Sequence, residues 1–106
     1  MANKSLHYVE FKTNRFGGVL INPSSLPSET ADFANQLENS LEEWKKEKLL
    51  SVWLEIPKAK SRLIPLAVDL GFEFHHSNKN YLMMTYKLKE NTFIPPYATH
   101  YIGAGG

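Results

Sequence analysis

The sequence predicts a mixed α/β domain in which two helices pack on a central mixed β-sheet that ends in a C-terminal hairpin. Apolar residues recur at helical spacing in one segment, and strand-like alternation follows it directly. The predicted order is (β)-β-α-β-α-β-β, which is typical of a sheet covered by helices. At 106 residues, the chain is long enough for one hydrophobic core and too short for two.

The first part of the chain is predicted to contain two short strands and the longer helix. The strands cover residues 8–12 and 19–21, and a turn over residues 14–18 separates them. We expect the helix to begin with Ser28 as its N-cap residue and to end in a basic last turn over residues 45–48. Spacings of four, four and three residues define its apolar face: Phe33, Leu37, Leu41 and Trp44.

A central strand and a second helix follow. Residues 50–56 alternate between two faces, and the size of Trp53 predicts that the second face is also covered. The second helix is expected over residues 59–70, where Pro65 must lie in a first turn or kink the helix. Gly71 is the expected residue of positive φ that ends this helix.

The C-terminal part is predicted to form a hairpin and then a linker. Residues 72–76 and 81–88 are the two strands, joined by a turn. Residues 91–106 contain no Asp, Glu, Lys or Arg and include two successive prolines, which favour an extended linker. We interpret this uncharged, glycine-ended segment as the start of a missing second domain, with a flexible natural tail as the alternative.

The composition excludes several classes of function. Twelve basic against eleven acidic residues give a net charge of +1, which argues against a nucleic-acid or acidic-membrane surface. The absence of cysteine excludes disulfides, zinc ribbons and thiol nucleophiles. No apolar run approaches the roughly 20 residues of a membrane span, and the polar N-terminus does not resemble a signal peptide, so a cytoplasmic protein is expected.

Three glutamates on the long helix form the most enzyme-like pattern. Glu38, Glu42 and Glu43 share roughly one helical face and could hold a divalent cation. A solvated acidic face opposite the apolar stripe is the simpler interpretation. We therefore predict no catalytic residue and no metal ligand in this chain.

His75, His76 and Arg15 are weaker candidates for ligand contacts. Neighbouring residues of a strand point to opposite faces, so the two imidazoles are not expected to chelate one ion, and one should be buried and the other exposed. Arg15 lies in a glycine-containing turn over residues 14–18, where backbone N–H groups could meet an anion. A purely structural turn is the alternative.

Six segments occur in one order along the chain and together carry a family resemblance. They are residues 15–19, Trp44, residues 51–57, 61–64, 70–76 and 96–105. This pattern resembles the N-terminal pre-Nudix domain of Nudix hydrolases, in human and plant members alike. The resemblance implies a GNAT-like partial fold (the N-acetyltransferase fold) over residues 1–90. It also implies that residues 91–106 are a linker and the first residues of a missing Nudix catalytic domain.

The resemblance implies a non-catalytic role for this fragment. Family chemistry resides in the Nudix box, G-x5-E-x7-R-E-U-x-E-E-x-G-U, where U is a bulky aliphatic residue. Aligned on Glu42 and Glu43, this box requires Arg-Glu where Glu38 and Asn39 stand, and glycine where Lys45 stands. The longer protein would hydrolyse nucleoside diphosphates linked to another moiety, such as ADP-ribose or NADH, with Mg²⁺ or Mn²⁺.

The resemblance also implies partners. The expected ones are the protein's own C-terminal Nudix domain and a second copy in a homodimer, with Tyr97, Tyr101 and Ile102 as candidate interdomain contacts. Two alternatives remain open. One is a degenerate acyltransferase-like module that binds acyl-CoA or a nucleotide, although the [QR]-x-x-G-x-[GA] loop of a working acetyltransferase is missing. The other is an adaptor that binds another protein.

Overall fold

Five strands form one mixed sheet. The computed structural model describes residues 8–90, 92 and 94. The strands are β1 (Phe11–Thr13), β2 (Gly18–Ile21), β3 (Ser51–Pro57), β4 (Glu73–Ser77) and β5 (Tyr81–Lys87), in the order β1-β2-β3-β5-β4. The β2–β3 pair is parallel, whereas the β1–β2, β3–β5 and β4–β5 pairs are antiparallel. The predicted mixed sheet with a closing hairpin is therefore confirmed.

The first helix, α1, covers Thr30–Lys45. Its predicted apolar face is confirmed, because all four residues of that face are buried. The prediction of Ser28 as N-cap is wrong. Glu29 takes the extended N-cap conformation and forms no side-chain hydrogen bond there, so charge rather than a capping hydroxyl favours this end. Both Glu29 and Asp32 place carboxylates near the positive end of the helix dipole.

The second helix is shorter than predicted. Lys58–Leu63 form a 3₁₀ helix with a non-helical residue at Lys60, and only then does α2 (Ile64–Leu70) begin. Pro65 explains the break, because it has no N–H for a continuous helix and fits only the first turn, where it lies. Gly71 has φ of 110° and ends α2, as predicted. Among the described residues, no helix combines the length and apolarity needed to cross a membrane.

Both helices pack on the same face of the sheet. Val52, Leu54 and Ile56 point from β3 into this layer and are almost completely buried. They meet the apolar face of α1 and the buried Ala67 of α2 in one cluster. Trp53 on the opposite face is only 5% exposed, yet no helix covers that face in residues 8–90. The prediction that Trp53 lies on a covered second face is therefore confirmed for Trp53 itself, and side chains such as His75 rather than a helix cover it.

We expect Leu54→Ala to lower the free energy of unfolding by about 2–5 kcal/mol, because it removes buried apolar surface and leaves a cavity. Urea titration followed by circular dichroism measures the change. Val68→Ala on α2 is the matched control, since Val68 is 44% exposed, and should change stability by no more than about 0.5 kcal/mol. Equal effects of the two substitutions would contradict the one-sided core.

Candidate functional site

The helix-free face of the sheet carries a row of side chains that crosses all five strands. The backbone register places Lys12 opposite Leu20, Leu20 opposite Trp53, Trp53 opposite Thr85, and Thr85 opposite Glu73. Trp53 and Thr85 are buried in the middle of this row, whereas Lys12 and Glu73 are exposed at its ends. The face is thus apolar at its centre and charged at both edges.

A groove of about 460 Å³ opens on this face toward the β1 edge. Its lining combines an apolar floor with a polar rim: Glu10, Phe11, Lys12, Leu20, Ile21, Asn22, Pro23, Trp53, Glu55 and Met83. Surface grooves of this size with a few polar groups are the usual form of a binding site. We therefore define these ten residues as the sheet groove.

Glu55 is the most unusual residue of the sheet groove. It is half-buried between the buried residues Leu54 and Ile56 on β3, and desolvation by this burial raises the pKa of its carboxyl group. The single ion pair within the described residues joins Lys46 to Glu43, so no cation compensates Glu55 there. An uncompensated carboxylate in a groove is a common mark of a functional site. Sequence reasoning missed this site, although a lone glutamate within an apolar strand could have indicated it.

His75 and His76 lie on the helix-free face together. A β-bulge in β4 follows Phe74, so that Phe74 pairs with Met84 and His76 pairs with Met83, while His75 is the extra residue. The Nδ1 atoms of the two imidazoles are 2.7 Å apart, and both side chains are half-buried. The prediction of opposite faces is therefore wrong, because the bulge interrupts the alternation on which it depended.

The surroundings of the histidine pair differ for the two rings. The His75 ring contacts the Trp53 ring edge to face, with centroids 4.8 Å apart, and the His76 ring lies 6.1 Å from Tyr81. Desolvation, together with repulsion from His75, lowers the pKa of His76. The 2.7 Å distance between the two Nδ1 atoms means that one of them donates a hydrogen bond to the other.

The turn that contains Arg15 is built from hydrogen bonds to Asn14. The Asn14 Oδ1 atom accepts from the backbone N–H groups of Phe16 and Gly18, both at 2.9 Å, and the Asn14 carbonyl accepts from Gly17. Gly17 has φ of 79°, which favours glycine there. These amides are therefore occupied within the turn, which favours the structural interpretation over an anion site. The Arg15 guanidinium lies over the ring of Phe16 at 5.6 Å.

Comparison with known proteins assigns the chain to a family. A family profile described as the Nudix hydrolase domain matches residues 9–88. The chain belongs to the Nudix hydrolase family. The predicted resemblance is thus confirmed at the level of the family.

Three relatives show how much of a Nudix hydrolase the chain represents. Nudix hydrolase 8 of Arabidopsis thaliana is 39% identical over 95 residues, which cover 88% of this chain and 26% of that protein. Nudix hydrolase 5 of the same plant is 36% identical and is covered to 31%. The human protein named nucleoside diphosphate-linked moiety X motif 6 is 35% identical, and 31% of it is covered. The chain therefore spans about a quarter to a third of the length of these relatives.

The sequence singles out three glutamates of α1 as a conceivable cation site. Glu38 and Glu42 are exposed on α1, and the Glu43 carboxylate accepts from Lys46 at 3.3 Å. Within residues 8–90, no three His, Asp or Glu side chains come together as a metal site. The candidate interdomain residues Tyr97, Tyr101 and Ile102 lie outside the described residues, and their role stays a prediction.

We expect Glu55→Gln to raise the free energy of unfolding at pH 7. The raised pKa means that the folded state binds the Glu55 proton more tightly than the unfolded state, so wild-type stability falls as the pH rises from 4.5 through the native pKa. Glutamine removes this loss, and because Glu55 is partly solvated the gain should be on the order of 0.5 kcal/mol.

Urea titrations at several pH values test this expectation. The difference between Glu55→Gln and wild type should disappear as the pH falls below 4.5, where the carboxyl group is protonated in both states. Glu42→Gln on the exposed side of α1 is the matched control and should not reproduce this convergence. A pH-independent difference at Glu55 would show that the carboxyl group is not desolvated in the fold.

Proposed function

We propose that this chain is a non-catalytic domain of a longer Nudix hydrolase and that it packs against the catalytic part of that protein. One observation carries the proposal: residues 8–90 form a complete core on one side of the sheet and hold no carboxylate cluster suited to a metal-bound diphosphate. Membership of the family supports a hydrolase as the whole protein. The limited share of each relative that the chain covers supports a catalytic part elsewhere.

The proposed activity of the longer protein is hydrolysis of nucleoside diphosphates linked to another moiety, such as ADP-ribose or NADH. The name of the human relative supports this substrate class. The proposal places Mg²⁺ or Mn²⁺ on residues outside this domain, and the exposure of Glu38 and Glu42 together with the contact of Glu43 to Lys46 supports it. Cytoplasmic localisation and homodimer formation remain predictions of the same proposal.

The surfaces of the domain are suited to packing against another folded unit. The sheet groove is apolar at its floor, and two aromatic residues elsewhere are largely exposed, Phe16 at 72% and Phe74 at 65%. Exposed apolar surface of this kind is commonly a site of interaction. The domain would thus assist the hydrolase by packing, by dimerisation or by shaping substrate access.

An acyltransferase-like role has less support. The GNAT-like description of the fold remains a prediction, and acetyltransferases of that fold bind pyrophosphate with free loop amides. In the glycine turn of this chain, the backbone N–H groups of Phe16, Gly17 and Gly18 donate hydrogen bonds to oxygen atoms of Asn14. Titration calorimetry with acetyl-CoA discriminates this role, since micromolar binding would favour it over the accessory domain.

We expect the isolated chain to show no hydrolysis of ADP-ribose or NADH in the presence of Mg²⁺ or Mn²⁺. Release of AMP, measured by liquid chromatography, should equal that of a reaction without protein. An established Nudix hydrolase serves as positive control.

Any turnover by the chain can be traced to its acidic helix with one variant. If Glu38→Gln/Glu42→Gln abolished measurable turnover while the fold was retained, these carboxylates would be catalytic and the proposed role would be refuted. Turnover unaffected by the double variant would indicate another catalytic group and would refute the proposal equally.

A further inference from the structure

The β-bulge in β4 creates an arrangement that an ordinary strand cannot offer. It presents two successive imidazoles on one face, with ring centroids 5.0 Å apart and ring planes at 74°. The two Nδ1 atoms face each other at 2.7 Å. Two potential nitrogen ligands therefore already lie side by side on one face of the sheet.

We propose that His75 and His76 form a bidentate site for a divalent transition-metal ion of the Cu²⁺ or Ni²⁺ class. Imidazole nitrogen is a preferred ligand of these ions, whereas Mg²⁺ prefers oxygen. The site is thus different in chemistry and position from the metal site of a Nudix hydrolase. It does not depend on the proposed function.

The separation of the two nitrogens favours one coordination geometry. Two nitrogen atoms that each lie about 2.05 Å from the same metal ion are roughly 2.9 Å apart when the nitrogen–metal–nitrogen angle is a right angle. They are roughly 3.3 Å apart when that angle is tetrahedral. The observed 2.7 Å is close to the right-angle value. A right angle is the angle between neighbouring ligands of a square-planar ion. Cu²⁺ and Ni²⁺ adopt this geometry, whereas Zn²⁺ prefers a tetrahedral one.

Binding requires a rearrangement of one proton and a small rotation of the rings that turns both Nδ1 lone pairs toward the ion and keeps the two atoms about as far apart as they are now. One Nδ1 atom now donates its hydrogen to the other, and the metal ion would replace that hydrogen between them. The proton moves to the other nitrogen of the same ring, so both Nδ1 lone pairs become available and the neutral pair loses no proton. Water completes the coordination, because within the described residues no third His, Asp or Glu joins the pair.

Trp53 can report the binding of a metal ion to the histidine pair. The ring of Trp53 contacts the ring of His75, so a paramagnetic ion at the pair would lie within a few ångströms of this indole. Trp44, the second tryptophan, packs against Phe11 within the opposite layer. The two tryptophans therefore provide a near and a distant probe in one molecule.

Titration of the 106-residue chain with CuCl₂ and NiCl₂, followed by calorimetry in a non-coordinating buffer, tests the site. We expect one ion to bind per chain, with Zn²⁺ at least tenfold weaker than Cu²⁺. His75→Asn and His76→Asn should each weaken Cu²⁺ binding at least tenfold. The matched control is His7→Asn/His100→Asn, which removes the other two histidines and should change the affinity less than twofold.

A measurement on the wild-type chain keeps the test valid if the histidine variants do not fold. In NMR spectra, substoichiometric Cu²⁺ should broaden the imidazole signals of His75 and His76 and the indole N–H of Trp53. The signals of His7 and Trp44 should persist at the same ratio. Broadening that begins at His7 or His100, or Cu²⁺ affinity that survives loss of both His75 and His76, would overturn the proposal.

Discussion

Strand β3 is the constraint on which the rest of the structure depends. It pairs in parallel with β2 on one side and antiparallel with β5 on the other, so it fixes the register of three strands at once. Its alternate residues Val52, Leu54 and Ile56 form the centre of the core, while Trp53 and Glu55 point to the opposite face. One short segment therefore determines both the stability of the domain and the surface available for function.

That arrangement separates the stability of the domain from the acidic residues of its longest helix. The helices use only one face of the sheet, and the charged residues of α1 point away from it into solvent. The glutamates Glu38, Glu42 and Glu43 accordingly do not line the sheet groove. The sheet groove instead brings Trp53 together with the polar side chains of Glu10, Lys12 and Glu55.

Sequence reasoning predicted those features that depend on local periodicity. The face of α1, the alternation of β3, and Gly71 at the end of α2 are each set by a pattern within a few residues, and each is found. The N-cap was misassigned because Ser28 and Glu29 are both compatible with a helix start, and only the fold decides between them. The helix-free face could not be predicted, because a buried Trp53 indicates burial without indicating what buries it.

The histidine pair was mispredicted for a different physical reason. Strand alternation assumes an uninterrupted ladder, and a bulge depends on the partner strand, which a local pattern does not contain. Here the bulge lies on an edge strand, where such irregularities hinder pairing with a further strand. His75 is the extra residue of this bulge, and the bulge places its ring next to His76 and Trp53. A neutral residue such as Ser or Thr could occupy the bulge equally well. Protection of the edge therefore does not by itself require two imidazoles. Their mutual orientation is the feature that a bound ligand would explain.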